Sequence, residues 1–482
     1  MDLLKKFCAS RVSFYNSDFP ISLTHRSNHT VTLPELCKHS TPPYQPSLIL
    51  FNGHLQTLWT ALSRNEIVVR YKRRIFKSED DLYPGSFAVD FVSQDDNDIK
   101  QEDSSLPPQT TYYRDHDAPT GSLDCAPMLV ALHGVAGGSH EPYVKHVLAP
   151  LVASGWKACV VVSRGCGGSQ LTSPLLYNAR STWDLKQTVT FLRRRFPNRP
   201  LYAIGFSIGA NILVNVSSPE STCISGMLIE RDKCSTLARR VRIVVSEPLW
   251  SARTLGTWRS LTTHSGGAGW ASTSTHMPWL TERSRSCNGE KESWLLRVYP
   301  ISNAQHSHAD MVLRNRSIAA TAVEKIRYFF DFDIAVQLPM WGYPTKGTYY
   351  RDASSVDAVL AVRVPLFALN AEDDPISHRE ALPFDEFQNN PYTVLCTTSS
   401  GGHLGWYESE EQRWFAKPVI TFLETVHHDI DWTKDVKLAS HVTTAAHGLE
   451  YKPVRRKMQY TTAANSPGQS ELQFPHDQLW FF

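Results

Sequence analysis

The stretch that decides the fold is residues 201–213, which reads LYAIGFSIGANIL. It starts as a short apolar strand and continues as an apolar helix, with the only G-x-S-x-G of the chain, residues 205–209, at the junction. A strand that turns directly into a helix needs small residues around the turn, and such a turn projects the central hydroxyl above the sheet edge. The pattern therefore predicts that Ser207 is a nucleophile.

The chain on both sides of this stretch alternates between strands and helices. Apolar runs predict strands, and residues three or four apart on one face predict helices. The predicted strands are 67–71, 87–92, 128–132, 158–162, 201–204, 241–245, 364–369 and 392–397, and the predicted helices are 144–152, 185–196, 208–213 and 419–426. This order indicates an α/β fold, with a mostly parallel central sheet and helices on both faces.

Four segments follow from this alternation. We predict an N-terminal extension over 1–65, the α/β domain over 66–430, an irregular insertion at about 217–315, and a polar, disordered tail over 431–482. Within the insertion, residues 251–290 hold seven Ser, seven Thr and three Trp without a sustained period. The insertion is either a cap over the active site or a poorly ordered excursion.

Composition excludes several classes of protein. The 482 residues carry a formal net charge of +2, which does not favour nucleic acid as a partner. The basic runs 72–74, 193–195 and 455–457 are predicted to be solvated surface. The nine cysteines lack the spacing of a zinc site or a disulfide framework, so we expect no metal and no cofactor. No signal-peptide core and no apolar run of about 18 residues is present, which predicts a cytoplasmic protein.

A serine hydroxyl needs a general base, and that base needs a carboxylate to fix its tautomer. In an α/β sheet with this motif the chain order is serine, acid, histidine, each just beyond a strand. Asp374 and His403 follow the last two predicted strands in that order. Asp373 competes for the role of acid, but Asp374 reaches further past the strand. Three other histidines fit the geometry less well: His378, His427 and His428.

Acyl transfer also needs hydrogen-bond donors for the oxyanion that develops at the carbonyl oxygen. We predict the backbone N–H of Ile208, directly after the nucleophile, as one donor. The second is expected from the loop after His133 and Gly134, as the N–H of Val135. His133 itself is interpreted as a structural residue that shapes this turn.

Several strings of residues resemble the YheT-like branch of the α/β-hydrolase family. They are NGHLQTL at 52–58, HGVAGGS at 133–139, RGCGGS at 164–169, GFSIGAN at 205–211, NAEDDP at 370–375 and GGHLGW at 401–406. The resemblance covers about 43–428 and implies an α/β-hydrolase fold with the triad Ser207, Asp374 and His403. The branch includes fungal medium-chain fatty acid ethyl ester synthases, which are alcohol O-acyltransferases with esterase activity, and animal enzymes that act on phospholipids.

The resemblance is interrupted after the strand at 241–245. Family members carry an Asn-Pro-Trp-like turn and a helical cap there, whereas this chain reads SEPLW at 246–250. Family likeness returns near 328–331 and 341–344. We hypothesise that part of 226–315 derives from a retained intron or a shifted reading frame, which sequencing of the spliced transcript would test.

The resemblance implies serine-dependent acyl transfer on medium-chain fatty acyl esters or thioesters. An acyl-CoA or a lipid ester would supply the acyl group, and an alcohol or water would accept it. One alternative is a lipase or phospholipase, in peripheral contact with a membrane or a lipid droplet. A second alternative is a hydrolase-fold binding protein whose altered cap has abolished catalysis.

Overall fold

The computed structural model describes most of the chain outside the insertion and the tail. The described residues are 9–63, 67–94, 103, 105–113, 121–217, 242–246, 311–323, 326, 329–409, 412–438 and 451, with the backbone alone for 242–246 and 329. The insertion over 218–241 and 247–310, like most of the predicted tail, lies outside these residues.

Within the described residues, twelve strands form two sheets. They are β1 (Val12–Asn16), β2 (Ser22–Thr24), β3 (Thr30–Thr32), β4 (Arg70–Lys77), β5 (Ser86–Ser93), β6 (Thr110–Tyr112), β7 (Met128–Leu132), β8 (Lys157–Val162), β9 (Leu201–Phe206), β10 (Arg242–Ser246), β11 (Leu366–Ala371) and β12 (Thr393–Thr398). The main sheet has ten strands in the order β1-β12-β11-β10-β9-β7-β8-β5-β4-β6, and β2 and β3 form a separate hairpin.

The helices lie between these strands, except the last, which follows β12. They are α1 (Leu33–Ser40), α2 (Gly53–Leu62), α3 (Pro142–Ala153), α4 (Trp183–Arg195), α5 (Ile208–Val216), α6 (Ala320–Val323), α7 (Phe329–Phe332), α8 (Leu338–Trp341), α9 (Lys346–Ala353), α10 (Val356–Val359), α11 (Phe384–Gln388) and α12 (Ala416–His428). A π-helix, Asp333–Gln337, joins α7 to α8, and a 3₁₀ turn covers Arg379–Ala381. None of the helices in the described ranges is long and apolar enough to cross a membrane.

The centre of the main sheet is parallel. Strands β12, β11, β10, β9, β7 and β8 pair in parallel, whereas β1, β5 and β4 attach through antiparallel pairs. The predicted α/β class, with a mostly parallel sheet, is therefore confirmed. Because β7 lies between β8 and β9, the chain reverses its direction across the sheet there, and the carboxyl ends of β7 and β9 flank this switch point.

The core lies on both faces of this sheet. In β7, Met128, Val130 and Leu132 pack into one buried cluster with α4 and α5, while Leu129 and Ala131 pack into the other with α3 and α12. Successive side chains of a strand point to opposite faces, so a strand buried on both sides must be apolar throughout. This explains the uninterrupted apolar run that the sequence shows at 128–132.

The segment before residue 66, predicted as an N-terminal extension, contributes to the same sheet. β1 pairs antiparallel with β12 over five residues and forms one sheet edge. Helix α1 starts with a capping box, in which Thr32 and Glu35 satisfy each other's free backbone donors. Its buried residues Leu33, Leu36 and Cys37 join the core beside α12.

Arg73 is buried, so the prediction that the basic run 72–74 is solvated surface was wrong for this residue. Its guanidinium donates two hydrogen bonds to Asp90, at 2.6 and 2.8 Å, and a third to the carbonyl of Gly167 at 2.7 Å. Asp90 also accepts the hydroxyl of Ser139 at 2.5 Å. A buried charge needs such pairing, and this pair ties two loops near the carboxyl ends of β7 and β8 to the antiparallel edge of the sheet.

Two boundaries differ from the sequence prediction. Strand β4 begins at Arg70 rather than at residue 67 and extends to Lys77, because the buried Arg73 hides the strand pattern. The predicted strands also omit the short strand β6, which pairs with β4 in parallel. Strands β4 and β6 form because their backbones pair with neighbouring strands, and their residues do not follow an apolar period.

The π-helix places a carboxyl group in the core. Asp333 is 2% exposed and accepts one side-chain hydrogen bond, from the Tyr350 hydroxyl at 2.9 Å. Burial disfavours the charged form and raises the pKa of Asp333 to about 8, although the Tyr350 bond acts in the opposite direction. Asp333 is therefore protonated at neutral pH.

This pKa predicts a pH-dependent stability. An unfolded Asp has a pKa near 3.9, so folding takes up a proton between about pH 4 and pH 8, and stability falls as the pH rises through this window. We expect Asp333→Asn to remove this loss: between pH 5 and pH 8 its Tm should drop by roughly 5 °C less than that of the wild type. Thermal unfolding at both pH values measures the difference.

Asp357→Asn, at an exposed carboxylate, is the matched control and should leave the pH dependence as in the wild type. An Asp333→Asn protein whose Tm follows the wild-type pH profile would contradict the buried, protonated state.

Candidate active site

Ser207 lies in the turn between β9 and α5, at the carboxyl edge of the sheet. Its backbone has φ 53° and ψ −121°, a conformation that residues with side chains rarely adopt. A Cβ on Gly205 would lie 2.6 Å from the backbone of Ala210, and a Cβ on Gly209 would lie 2.6 Å from the carbonyl oxygen of His133. Only glycine fits at both positions, so the flanking glycines of the motif permit the tight turn.

The structure brings the three predicted triad residues together. His403 Nε2 lies 3.1 Å from Ser207 Oγ, and His403 Nδ1 lies 2.8 Å from Asp374 Oδ2. All three residues are at most 9% exposed, so their hydrogen bonds are shielded from water. With Nδ1–H donated to Asp374, the other ring nitrogen is free to accept the serine proton.

Asp374 is held by its own turn after β11. Its Oδ1 accepts the backbone N–H of Ile376 at 2.6 Å and that of Ser377 at 3.0 Å, while Pro375, which directly follows Asp374, has no N–H. These bonds fix the carboxylate so that Oδ2 faces the imidazole of His403.

Asp373 makes different contacts from Asp374. Its Oδ1 accepts the N–H of Gly402 at 2.9 Å, and its carboxyl group also accepts backbone N–H groups of Gly53 and Gly401. Burial raises the pKa of Asp373, although these hydrogen bonds favour its charged form. Asp373 thus binds the loop that carries His403 and the start of α2, whereas Asp374 contacts the histidine ring.

Helix α2 also supports the His403 loop. Thr57 Oγ1 accepts the backbone N–H of His403 at 2.8 Å and donates to the carbonyl of Gly53 at 2.6 Å. Gly402 has φ 60°, and a Cβ there would lie 2.3 Å from the carbonyl oxygen of Gly53. Sequence reasoning missed Thr57, and its only signal was its place in the 52–58 string of the family resemblance.

The two predicted oxyanion donors flank Ser207. Val135 follows Gly134, on which a Cβ would lie 3.5 Å from the Ser207 Cβ, so the loop after β7 passes beside Ser207. Ile208 starts α5. Within the part of the chain that the structure describes, neither the N–H of Val135 nor that of Ile208 donates a hydrogen bond. Both are therefore available to an incoming oxygen.

His133 is a buried structural residue. Its Nδ1 donates to the carbonyl of Gly134 at 2.6 Å, and its Nε2 accepts the N–H of Ser163 at 3.0 Å. Burial lowers the pKa of His133 to about 4, so the ring is neutral at physiological pH. It joins the carboxyl ends of β7 and β8 and shapes the turn, in line with its predicted role.

Two of the remaining histidines are engaged on α12. His427 Nδ1 lies 3.1 Å from the hydroxyl of Tyr202, and His428 pairs with Glu424 at 2.9 Å. His378 lies just before the 3₁₀ turn. Across the described residues, no cluster of three His, Cys, Asp or Glu side chains could hold a metal ion.

Comparison with known proteins supports the fold. Residues 127–222, from the start of β7 to just beyond α5, match the family model described as alpha/beta hydrolase fold. A monoacylglycerol lipase of Saccharomyces cerevisiae is 33% identical over 84% of this chain and 86% of its own length. The medium-chain fatty acid ethyl ester synthase/esterase 2 of the same yeast is 28% identical, over 82% and 87%.

A human protein named phospholipase ABHD3 is 24% identical over 85% of this chain and 85% of its own length. The similarity to these proteins extends far beyond the matched family segment. This chain therefore belongs to the α/β-hydrolase family.

Proposed function

We propose that this protein cleaves fatty acyl esters by covalent catalysis at Ser207. The observation that carries the proposal is the chain of two hydrogen bonds from Ser207 Oγ through the His403 ring to Asp374, at 3.1 and 2.8 Å. A serine that is hydrogen-bonded to a carboxylate-oriented histidine, beside free backbone donors, is suited to attack a carbonyl carbon.

In the first half-reaction, His403 Nε2 takes the proton of Ser207 as Oγ forms a bond to the ester carbonyl carbon. The carbonyl oxygen becomes an oxyanion, which accepts the N–H groups of Val135 and Ile208. Collapse of this intermediate breaks the bond to the alkoxy group, which leaves with the proton held by His403. Asp374 stabilises the imidazolium that exists between these two proton transfers.

In the second half-reaction, an acceptor attacks the acyl-enzyme while His403 removes its proton. Water as acceptor gives a free fatty acid, and an alcohol gives a new ester. Both routes regenerate Ser207 by the same proton transfers, so the triad supports esterase and alcohol O-acyltransferase activity alike. The balance between them depends on which acceptor reaches the acyl-enzyme.

The relatives guide the choice of substrate. The 33%-identical yeast protein is named for monoacylglycerol, and the 28%-identical one for medium-chain ethyl ester synthesis. We propose a monoacylglycerol with a medium-length acyl chain as the first candidate substrate. Alcohol-dependent ester synthesis, with an acyl-CoA or a lipid ester as donor, is the second candidate, and a phospholipid is the third.

An apolar surface beside the active site favours contact with a lipid surface. Leu48, Ile49 and Phe51 are each more than two-thirds exposed, and Leu58 and Leu62 of α2 are also exposed. The first three residues directly precede α2 in the chain, and the last two belong to it. The buried face of α2 holds the loop that carries His403. Clustered exposed apolar residues mark interaction surfaces, and an enzyme for lipid esters has to meet its substrate at a lipid surface. We propose that this patch contacts the surface of a membrane or a lipid droplet.

The proposed activity is tested with purified protein, a medium-chain monoacylglycerol and a medium-chain acyl-CoA, each with and without ethanol. We expect free fatty acid from the monoacylglycerol, with ethyl ester appearing when ethanol is present. Ser207→Ala should lower both products by roughly 10⁴–10⁶-fold, because the covalent route is lost. Chromatography of the lipid products measures the two rates. Equal rates in the two proteins, or no product from wild type, would refute the proposal.

Changing either of the two neighbouring acids, Asp373 or Asp374, to Asn should have sharply different effects on kcat. Asp374→Asn should lower kcat by about 10⁴-fold, because the amide cannot hold His403 in the required tautomer and charge state. Asp373→Asn should keep kcat within about tenfold, because the amide oxygen can still accept the N–H of Gly402. Steady-state kinetics on a soluble ester compares them, and a larger loss in Asp373→Asn would reverse the assignment.

The apolar patch is tested by charge insertion. Ile49→Asp with Phe51→Asp should reduce co-flotation with phosphatidylcholine vesicles and activity on emulsified monoacylglycerol by about tenfold, while hydrolysis of a dissolved short-chain ester stays unchanged. Phe19→Asp is the control, because this exposed residue follows Asn16, which pairs with Val394 at the amino end of β12. Equal flotation of the patch variant and wild type would contradict the lipid contact.

A further inference from the structure

We propose that Tyr143 and Tyr177 are positioning residues, which hold the oxyanion loop (residues 133–137) so that the N–H of Val135 points at the substrate carbonyl oxygen. The proposal rests on the proposed function, because it assigns a role to two side chains in the acyl-transfer step. Neither tyrosine belongs to the triad, and neither would donate to the oxyanion itself.

The hydrogen bonds of the loop carry the inference. Gly134 donates its N–H to the hydroxyl of Tyr143 at 3.0 Å, and Ala136 donates its N–H to the hydroxyl of Tyr177, also at 3.0 Å. Val135 lies between them, and in the described part of the chain its N–H has no acceptor. Two hydroxyls thus bind the amides on both sides and leave the middle amide to a ligand.

The two tyrosines approach from different elements. Tyr143 is the second residue of α3, and Tyr177 lies in the connection between β8 and α4. Both are at most 5% exposed, and the Tyr177 hydroxyl is also hydrogen-bonded to the side chain of Cys166. Because buried side chains have few accessible rotamers, the hydroxyl groups are fixed acceptors rather than adaptable ones.

The oxyanion loop needs contacts from other parts of the chain to keep its backbone conformation. Ala136 has φ 56°, a left-handed conformation that costs of order 1 kcal/mol or more for a residue with a Cβ. Strain of this kind persists only where surrounding contacts determine the backbone. The bond from Ala136 to Tyr177 acts directly on the strained residue, adjacent to Val135.

Tyr177 is in turn anchored by the segment after the insertion. Gln337 of the π-helix donates its Nε2 to the Tyr177 carbonyl at 3.0 Å, and the N–H of Leu176 contacts the Met340 sulfur at 3.4 Å. A chain of direct contacts therefore runs from the π-helix and α8 through Tyr177 to the oxyanion loop. This makes the placement of Val135 dependent on residues far from it in sequence.

The test uses Tyr143→Phe, Tyr177→Phe and the double variant, because phenylalanine keeps the buried ring and removes only the hydroxyl. Tyr349→Phe is the matched control: its hydroxyl also accepts a backbone N–H, from Ala179 at 3.2 Å, but away from the loop. All variants should lose roughly 2–4 °C in Tm for one lost hydrogen bond, or somewhat more in the double variant.

Kinetics on a soluble ester then separates positioning from stability. Each loop variant should lower kcat by about tenfold and the double variant by about a hundredfold, with KM unchanged, because a misplaced donor weakens only transition-state binding. Affinity for an alkyl trifluoromethyl ketone, whose adduct with Ser207 carries an oxyanion, should fall by the same factor as kcat/KM. Tyr349→Phe should keep the wild-type kcat and affinity.

Hydrogen–deuterium exchange provides a readout without turnover. Peptides that cover 133–137 should take up deuterium faster in both loop variants and at the wild-type rate in Tyr349→Phe. A double variant with unchanged kcat, unchanged exchange in the loop, or a loss of kcat matched by Tyr349→Phe would each overturn the proposal. A wild-type protein without ester turnover would contradict the proposed function, and the exchange comparison would still decide whether the tyrosines hold the loop.

Discussion

The backbone of Ser207 is the constraint on which the active centre depends. Its φ of 53° directs Oγ away from the helix and toward His403, at a cost of roughly 1–3 kcal/mol that the surrounding packing must offset. That packing is close: Gly205 fits against the backbone of Ala210, and Gly209 against the carbonyl of His133. The same contact that permits the turn therefore places the loop after β7 beside Ser207. Serine and oxyanion loop are positioned by one feature of the backbone.

The proposed acid and base depend on a second set of backbone contacts. Parallel strands deliver Asp374 and His403 to one sheet edge, but loops alone would leave their side chains mobile. Asp373 and Thr57 remove this freedom, because each accepts a backbone N–H from the loop that carries His403. Thr57 belongs to α2, so the N-terminal part of the chain helps to build the site as well as an edge of the sheet. The support of the triad is distributed over residues that carry no chemistry themselves.

The sequence predicts what depends on local pattern. Apolar runs and helical periods indicated the parallel sheet, and the order of Ser207, Asp374 and His403 followed from strands that the pattern located well. The choice between the two acids also rested on a local argument, reach beyond the strand. The burial of Arg73 and the existence of strand β1 could not be predicted in this way. A buried arginine is recognised only when its partner Asp90 is known to face it, and β1 is a strand because it pairs with β12 near the other end of the chain.

Oxyanion donors are still harder to predict from the sequence, because a backbone N–H is not tied to any residue type. They are identified by accounting for every amide of the loop, since a buried N–H that is already bonded is unavailable to a substrate. Between Gly134 and Gly137 that accounting leaves, among the described residues, the N–H of Val135, and the acceptors on both sides of it are the buried hydroxyls of Tyr143 and Tyr177. Donors fixed before the substrate arrives need no reorganisation when charge develops. In the proposed mechanism, such an arrangement would stabilise the oxyanion equally for attack by water or by an alcohol, so the choice of acceptor would arise outside it, where the acceptor enters.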